Sequence, residues 1–366
     1  EAEDELDRLF LKRERGKAIC PTCGQVTHIA STHLVTDAIA DYLISKENKD
    51  SYVSIKARLA HVTAFISATD QKQVVCGMVD DEWVETFRDW AIEIPVRSPS
   101  GNLRDRAPGT VEASVRQLAA VINFAFKRKD TTHPAGFKVK KPADVSRTPT
   151  YRSSVEELAR MFRYALKAGK DGHPMNARQP LLRFLQISVI TWARPDAAHD
   201  FSTAPDRAQW HSNSRVVDLN PKGRAQTRKY RPQIPVGLRS ATLIDQRSGY
   251  FVGVESVKTA FSSMLDDLSL PRAGETGTKL IRRSIATLVR RRIGEEHFPQ
   301  IERMLGHKKT SISDLYALFD PNVLGRVLNA TNDIIEEIEA LTPGAFSPRR
   351  TGVSPERRNE KGAENG

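Results

Sequence analysis

The chain has 366 residues, with 56 Lys and Arg against 45 Asp and Glu and a formal net charge of +11. That length accommodates about two domains, and with 39% apolar residues each can bury a core. Three cysteines are too few for a disulfide framework, no stretch reaches the roughly 20 apolar residues of a membrane span, and no signal-peptide core opens the chain, so a cytoplasmic protein is expected. The positive balance favours a polyanionic partner.

Residues 1–33 are polar, with the basic run Lys12-Arg13-Glu14-Arg15 and the pair Cys20 and Cys23. Cys20, Cys23, His28 and His33 have the C-x2-C-x4-H-x4-H spacing of a zinc knuckle, while two cysteines in a reducing cell also persist as free thiols; the expectation is that metal is absent or dispensable. From 34 to 129 four helical patterns follow one another: Ile39/Tyr42/Leu43, Tyr52/Ile55/Leu59/Val62/Ile66, Trp83/Val84/Phe87/Trp90 and Val111/Val115/Leu118/Val121/Ile122/Ala125. They predict a helical bundle. Residues 130–153, with His133-Pro134, Gly136, Lys138, Lys140, Lys141, Pro142 and Pro149, read as an extended basic linker.

A second domain over 154–342 opens with the capping box Ser154-Val155-Glu156-Glu157, and Val155, Leu158, Met161, Phe162 and Leu166 carry a helical stripe. Leu181 to Trp192 is apolar on nearly every side and predicts a buried helix ended by Arg194-Pro195. Arg215–Leu219 and Gln233–Val236 predict two short strands around a basic turn; the rest reads as helical, and residues 343–366, poor in apolar side chains, read as a disordered tail. The C-terminal stripe of Leu324, Val327, Leu328, Ile334, Ile335, Ile338 and Leu341 fits either an ordinary intramolecular helix or one that docks on a neighbour. Cys76 reads as a small packed residue.

On a helical wheel over 279–293, Ile281, Ile285, Leu288 and Val289 share the buried face, with Arg282 at its edge and Arg283 and Arg290 pointing to solvent. A guanidinium beside a core stripe needs an anion: an internal salt bridge, or a ligand. From Lys279 to Lys309 nine basic residues face three acidic ones, a net +6 suited to phosphates or to a solvated charged face.

The string Lys279-Leu280-Ile281-Arg282, then Leu305-Gly306-His307, then Tyr316, resembles the signature of the tyrosine recombinases, or phage integrases. Thr191-Trp192-Ala193-Arg194 resembles that family's first arginine box, so the resemblance covers about 154–340, and the preceding bundle is similar in placement to the family's SAM-like core-binding domain. It implies a mainly α fold with a small β-sheet and a site-specific recombinase that cuts and rejoins double-stranded DNA through a 3′-phosphotyrosyl intermediate. Tyr316 would be the nucleophile, with Arg194, Arg282, His307 and Lys279 around the phosphate and a lysine of the β-turn, Lys229 rather than Lys222, as general acid. The chemistry agrees with this, because phosphodiester cleavage without a metal needs a nucleophile, donors for the developing charge and an acid for the leaving oxygen. No cofactor is expected. DNA contacts are expected from Arg283, Arg290, Lys308 and Lys309, and from Arg116, Lys140 and Lys141, with the two domains closing on a duplex. A homo-oligomer, tetrameric at synapsis, and an accessory DNA-bending or excision factor are implied partners, in a bacterial or phage-encoded, nucleoid-associated protein. Two departures stand out: Lys279 occupies a position that is often His, and Ala197 one that is usually acidic, with Asp196 beside it. A type IB topoisomerase-like enzyme and an inactive sequence-specific DNA-binding protein are the alternatives.

Overall fold

The computed structural model describes residues 18–19, 26–27, 33–97, 101, 103–167, 178–227, 229–272, 274–307 and 320–347. The chain divides between Thr148 and Pro149 into two compact units. In the first, antiparallel β1 (Ala18–Ile19) and β2 (Val26–Thr27) precede a bundle of α1 (Val35–Ile44), α2 (Tyr52–Ala68), α3 (Asp81–Glu93) and α4 (Pro108–Lys127). The patterned side chains do what their spacing predicts: Leu59, Val62, Phe87, Val115, Leu118 and Val121 are all buried, and α1, α2 and α3 pack against α4. Asp80 caps α3 by accepting from the Trp83 amide at 2.9 Å, and Pro108 opens α4, where its missing N–H costs nothing. A two-stranded pairing of β3 (Val96–Arg97) with β4 (Leu103–Arg104), the latter exposed, lies between α3 and α4; two-residue strands leave too short a pattern to read.

Much of the stretch read as a linker belongs to this bundle. Arg88 and Glu112, buried together, share two hydrogen bonds of 2.9 Å, and both reach the 138–140 backbone: Arg88 donates to the Lys138 carbonyl at 2.9 Å and Glu112 accepts from the Lys140 amide at 2.5 Å. A charge pair this buried persists only when its remaining hydrogen-bonding positions are filled, and this backbone fills them. Phe137 is buried in the same core, and the short helix α5 (Pro142–Val145) lies against α4. Thr150 to Ser153 instead bond within the second unit, to Glu275 and Ser284. Cys76 is buried, and burial pushes its thiol up to about 11.

Cys20, Cys23 and His28 lie outside the described residues. His33 stands with Asp41 and Asp130, its ring nitrogen and their carboxylate oxygens within 4.8 Å of one another. Arg128 bridges the two carboxylates at 3.3 and 2.9 Å, so a side-chain cation already serves them.

In the second unit α6 (Val155–Leu166) begins with the expected capping box: Ser154 Oγ accepts from the Glu157 amide and Glu157 accepts from the Ser154 amide. The buried helix α7 (Gln179–Thr191) follows, then short α8 (Pro195–Asp200). The sheet has three antiparallel strands in the order β5 (Trp210–His211), β6 (Val216–Asp218), β7 (Gln233–Pro235), with Val217 opposite both Trp210 and Ile234. Strand β5 was not legible because it too has only two residues. Among the described residues, helices α9 (Leu238–Asp245), α10 (Lys258–Asp267), α11 (Leu280–Ile293), α12 (Phe298–Met304) and α13 (Gly325–Leu341) follow.

Helix α13 packs within its own unit on α6, α7 and α11, with Val327, Ile334 and Ile338 fully buried. The chain beyond it corrects the expected tail, which cannot begin at 343. Ala345 and Phe346 are fully buried, Phe346 packs against Phe162 with the rings tilted and their centroids 4.8 Å apart, Gln186 donates to the Ala345 carbonyl at 2.7 Å, and Glu339 accepts from the Gly344 and Phe346 amides. One aromatic ring and three anchored backbone groups hold this segment, and no run of apolar residues marks it. Phe346→Ala is expected to destabilise the second unit by about 3–5 kcal/mol, read from its denaturation midpoint. A change under ~1 kcal/mol would mean the segment is dispensable to the core. Residues 348–366 lie outside the described residues. Among the described residues no helix is long and apolar enough to cross a membrane.

Candidate active site

Helix α7 ends at Trp192, which is fully buried with φ 52° and ψ 27°. A left-handed conformation is costly for a bulky residue, and it is this turn, rather than Arg194-Pro195, that stops the helix. Arg194 then becomes the N-cap residue of α8. Two consequences bear on the site. The Trp192 carbonyl, with no amide one turn on to satisfy it, is available to a side chain. Arg194 leaves the turn partly buried, with its Nη1 donating to the Tyr230 carbonyl at 2.7 Å.

Arg282 projects from the first turn of α11 and is 9% exposed. Among the described residues no carboxylate pairs with it. Its Nη1 donates to the Trp192 carbonyl at 2.5 Å and its Nη2 to the Leu305 carbonyl, which ends α12. Both acceptors are terminal carbonyls of helices, where partial negative charge collects, so the guanidinium is held by dipoles that leave its full charge in place. Among the described residues the internal salt bridge is thus replaced by two carbonyls, and the guanidinium retains further donors.

Leu305-Gly306-His307 closes the arrangement. Gly306 has φ +60°, and a Cβ there would lie 2.5 Å from the Tyr230 carbonyl oxygen and 3.0 Å from Pro232 Cδ. Only glycine lets the two backbones approach so closely. The His307 amide donates to the Glu302 carbonyl at 2.9 Å, the bond expected where a left-handed glycine ends a helix. Carbonyls and close contacts thus run in a ring, from Trp192 to Arg282, Leu305, Gly306, Tyr230 and Arg194.

The electrostatics record an under-neutralised centre. Arg282 is pushed down to about 10, first by burial and then by Arg194, with Asp196 opposing. Arg194 is lowered by burial, an effect that Asp196 opposes and Arg231 reinforces. Burial, Arg282 and Arg194 together lower His307 against the pull of Glu302, so its imidazole is neutral at pH 7 and can donate one hydrogen bond. Both arginines remain cationic at neutral pH. Holding them charged costs the folded state free energy that an incoming anion would offset.

The remaining candidates are distributed as follows. Lys279 is exposed at the N-cap position of α11. Lys229 is exposed in the β6–β7 connection, next to Tyr230; Lys222 is exposed in the Pro221–Arg224 turn, with its amide donating to the Arg207 carbonyl at 2.9 Å. Arg290 reaches solvent as its wheel position predicts, but it is engaged by Glu295 in two hydrogen bonds of 2.6 Å. Arg283 corrects the expectation of solvent exposure: it is half-buried and donates to the Glu275 carbonyl at 2.6 Å, because the 275–279 loop folds back over its helix face. Arg116, Lys140 and Lys141 are exposed on the first unit, Lys140 in contact with Glu85 at 3.2 Å. Tyr316, Lys308 and Lys309 lie outside the described residues. Ala197 is buried, and Asp196 pairs with Arg231 at 3.2 Å instead of with Arg194. Sequence reasoning missed Arg231, whose only signal was its place in a basic turn.

No protein-family model and no curated relative matches the sequence. The fold does match solved structures. The Tn1549 transposon integrase in complex with transposon right end DNA aligns over 80% of this chain and 97% of that one, with 12% identity and a TM-score of 0.52. The same integrase in complex with circular intermediate DNA aligns over 80% and 98%, with 13% identity and a TM-score of 0.50. At such identity the likeness is one of fold: a mainly helical chain whose second unit carries a small antiparallel sheet.

Proposed function

We propose that this chain is a site-specific DNA recombinase that cuts and rejoins duplex DNA through a 3′-phosphotyrosyl intermediate. The observation that carries the reading is the convergence of Arg194 and Arg282, both anchored by backbone carbonyls and neither paired with a carboxylate among the described residues, with His307 beside them. Two guanidinium forks fit the two non-bridging oxygens of one phosphodiester, and they strengthen their hold as charge grows on those oxygens in the transition state. The Tyr316 hydroxyl attacks phosphorus, the 5′ oxygen leaves with a proton from a lysine, and the phosphotyrosyl bond keeps the energy needed to rejoin a second 5′ end. No step of this scheme calls for a metal or a nucleotide cofactor. Double-stranded DNA is the substrate, and two duplexes joined at equivalent sites require several copies of the chain; a tetrameric synapse, an accessory DNA-bending factor and a nucleoid location belong to the same reading.

The direct test is incubation with DNA flanking the protein's own coding region and a search for a protease-sensitive covalent adduct. Joining of two duplexes in the same assay separates recombination from relaxation of one.

The general acid is assigned to Lys229, which adjoins the residue whose carbonyl receives Arg194. Lys229→Ala is expected to slow cleavage far more than Lys222→Ala, with DNA affinity little changed in either. A 5′-bridging phosphorothiolate, whose leaving group needs no proton, should rescue Lys229→Ala selectively. Rescue of Lys222→Ala instead would transfer the assignment.

A further inference from the structure

The fold places a third arginine, absent from the chemistry above, next in sequence to the residue whose carbonyl receives Arg194. Arg231 is 8% exposed, and its guanidinium binds two carboxylates of α8: Nη1 donates to Asp200 Oδ2 and Nη2 to Asp196 Oδ2 at 3.2 Å. Its main chain is clasped as well. Gln226 Oε1 accepts from the Arg231 amide at 3.1 Å, and Gln226 Nε2 donates to the Arg231 carbonyl at 2.9 Å. Asp200 in turn is held by Arg207 Nη2 at 2.5 Å, and Arg207 Nε donates to the Gln209 side chain at 3.0 Å.

Helix α8 therefore meets the 230–231 backbone at two points. Arg194, at its N-cap, holds the Tyr230 carbonyl, and Asp196 and Asp200, from its body, hold the Arg231 side chain. The second contact fixes the first, because residues 230 and 231 share a peptide plane that Gln226 also pins. It has an electrostatic effect too. Asp196, two residues from Arg194, is paired with Arg231, whose own positive charge offsets the pull of Asp196 on Arg194.

We propose that Arg231 is the positioning residue for Arg194, fixing the Tyr230 carbonyl that aims the Arg194 guanidinium and occupying the α8 carboxylate that would otherwise neutralise it. The assignment rests on the recombinase reading. Arg231 does not touch the phosphate; it acts through Arg194.

The test measures covalent adduct formation on a nicked DNA substrate by Arg231→Met, Arg231→Lys, Gln226→Ala, Arg194→Ala and the Arg194→Ala/Arg231→Met double variant, with melting temperature and DNA affinity measured alongside. Arg231→Met is expected to slow the adduct about 100-fold, the scale of a small misplacement of a catalytic group, and Arg231→Lys, which keeps the charge without the fork, should recover part of that. A structural defect would add its cost to any background, whereas an effect carried by Arg194 disappears once Arg194 is gone, so the double variant should react no more slowly than Arg194→Ala alone. Should Arg231→Met fail to fold, Gln226→Ala, an exposed change that removes only the main-chain clasp, is expected to lose ~10-fold, again only while Arg194 is present. A normal rate in Arg231→Met or in Gln226→Ala, or a double variant slower by the full factor, overturns the assignment. A wild-type protein that binds DNA and never forms the adduct defeats the recombinase reading, and this assignment with it; a wild-type adduct alongside an unaffected Arg231→Met defeats the assignment alone.

Discussion

Tyr316→Phe is expected to give no covalent adduct on a nicked DNA substrate while keeping the fold and site-specific affinity. One hydroxyl is lost, and with it the atom that would bond to phosphorus; the apolar body of the ring stays. Arg194, Arg282 and His307 remain in place in this variant, because their partners are the carbonyls of Tyr230, Trp192 and Leu305 and the Glu302 backbone. Phosphate binding and bond cleavage are therefore separable, and gel detection of the adduct reads the second alone. An adduct that persists in Tyr316→Phe moves the nucleophile to another residue. A wild-type protein that binds and never reacts favours the inactive DNA-binding alternative.

The second large effect belongs to the two arginines. Arg194→Ala and Arg282→Ala each keep the nucleophile and remove one of the two charges that stabilise the transition state, and by analogy with arginines in phosphoryl transfer the adduct rate should fall by about 10³-fold or more. Affinity should fall much less, since each is one phosphate contact among many in a chain of net charge +11. The two variants should differ in stability. Arg194→Ala removes a repulsive neighbour of Arg282 and one bond to Tyr230, whereas Arg282→Ala takes a donor from the buried Trp192 carbonyl and from the partly buried Leu305 carbonyl. Arg282→Ala should therefore melt at the lower temperature, and similar melting with very different adduct rates would show that the carbonyls find other donors. Lys at 282 is no conservative substitute, because one ammonium cannot reach both carbonyls with the geometry of a fork.

The helical stripes, the capping box at Ser154, the buried helix α7 and two of the three strands of the sheet were legible in the sequence, because each repeats a pattern over enough residues to be read. Within the site, Arg194, Arg282 and His307 were legible as a set through their spacing and the glycine before the histidine. What holds them was not. Tyr230, Trp192 and Leu305 act through main-chain carbonyls, which every residue has, and Arg231 draws its role from Asp196 and Asp200 on another element. A similar limit explains the stretch read as a linker, where Pro, Gly and Lys speak for exposure while one buried Arg88–Glu112 pair, far away in sequence, draws the backbone in. In the C-terminal segment a single Phe346 outweighs its polar neighbours.

That placement of Phe346 has a consequence for how the protein is made. The first unit is complete by Thr148, and its core contacts are all available once that residue has left the ribosome. The second unit is closed by pairings between its earliest and latest parts: Thr342 bonds to the Ala159 carbonyl across 183 positions, Ala345 to Gln186 across 159, and Phe346 lies against Phe162. Contacts at such sequence separation form only after the loop between them has been closed. Synthesis from the N-terminus therefore delivers a finished helical bundle while the unit that carries Arg194 and Arg282 still lacks α13 and its anchor. The unit that carries Arg194 and Arg282 can therefore close its core only after residue 346 has emerged, a delay written into the topology.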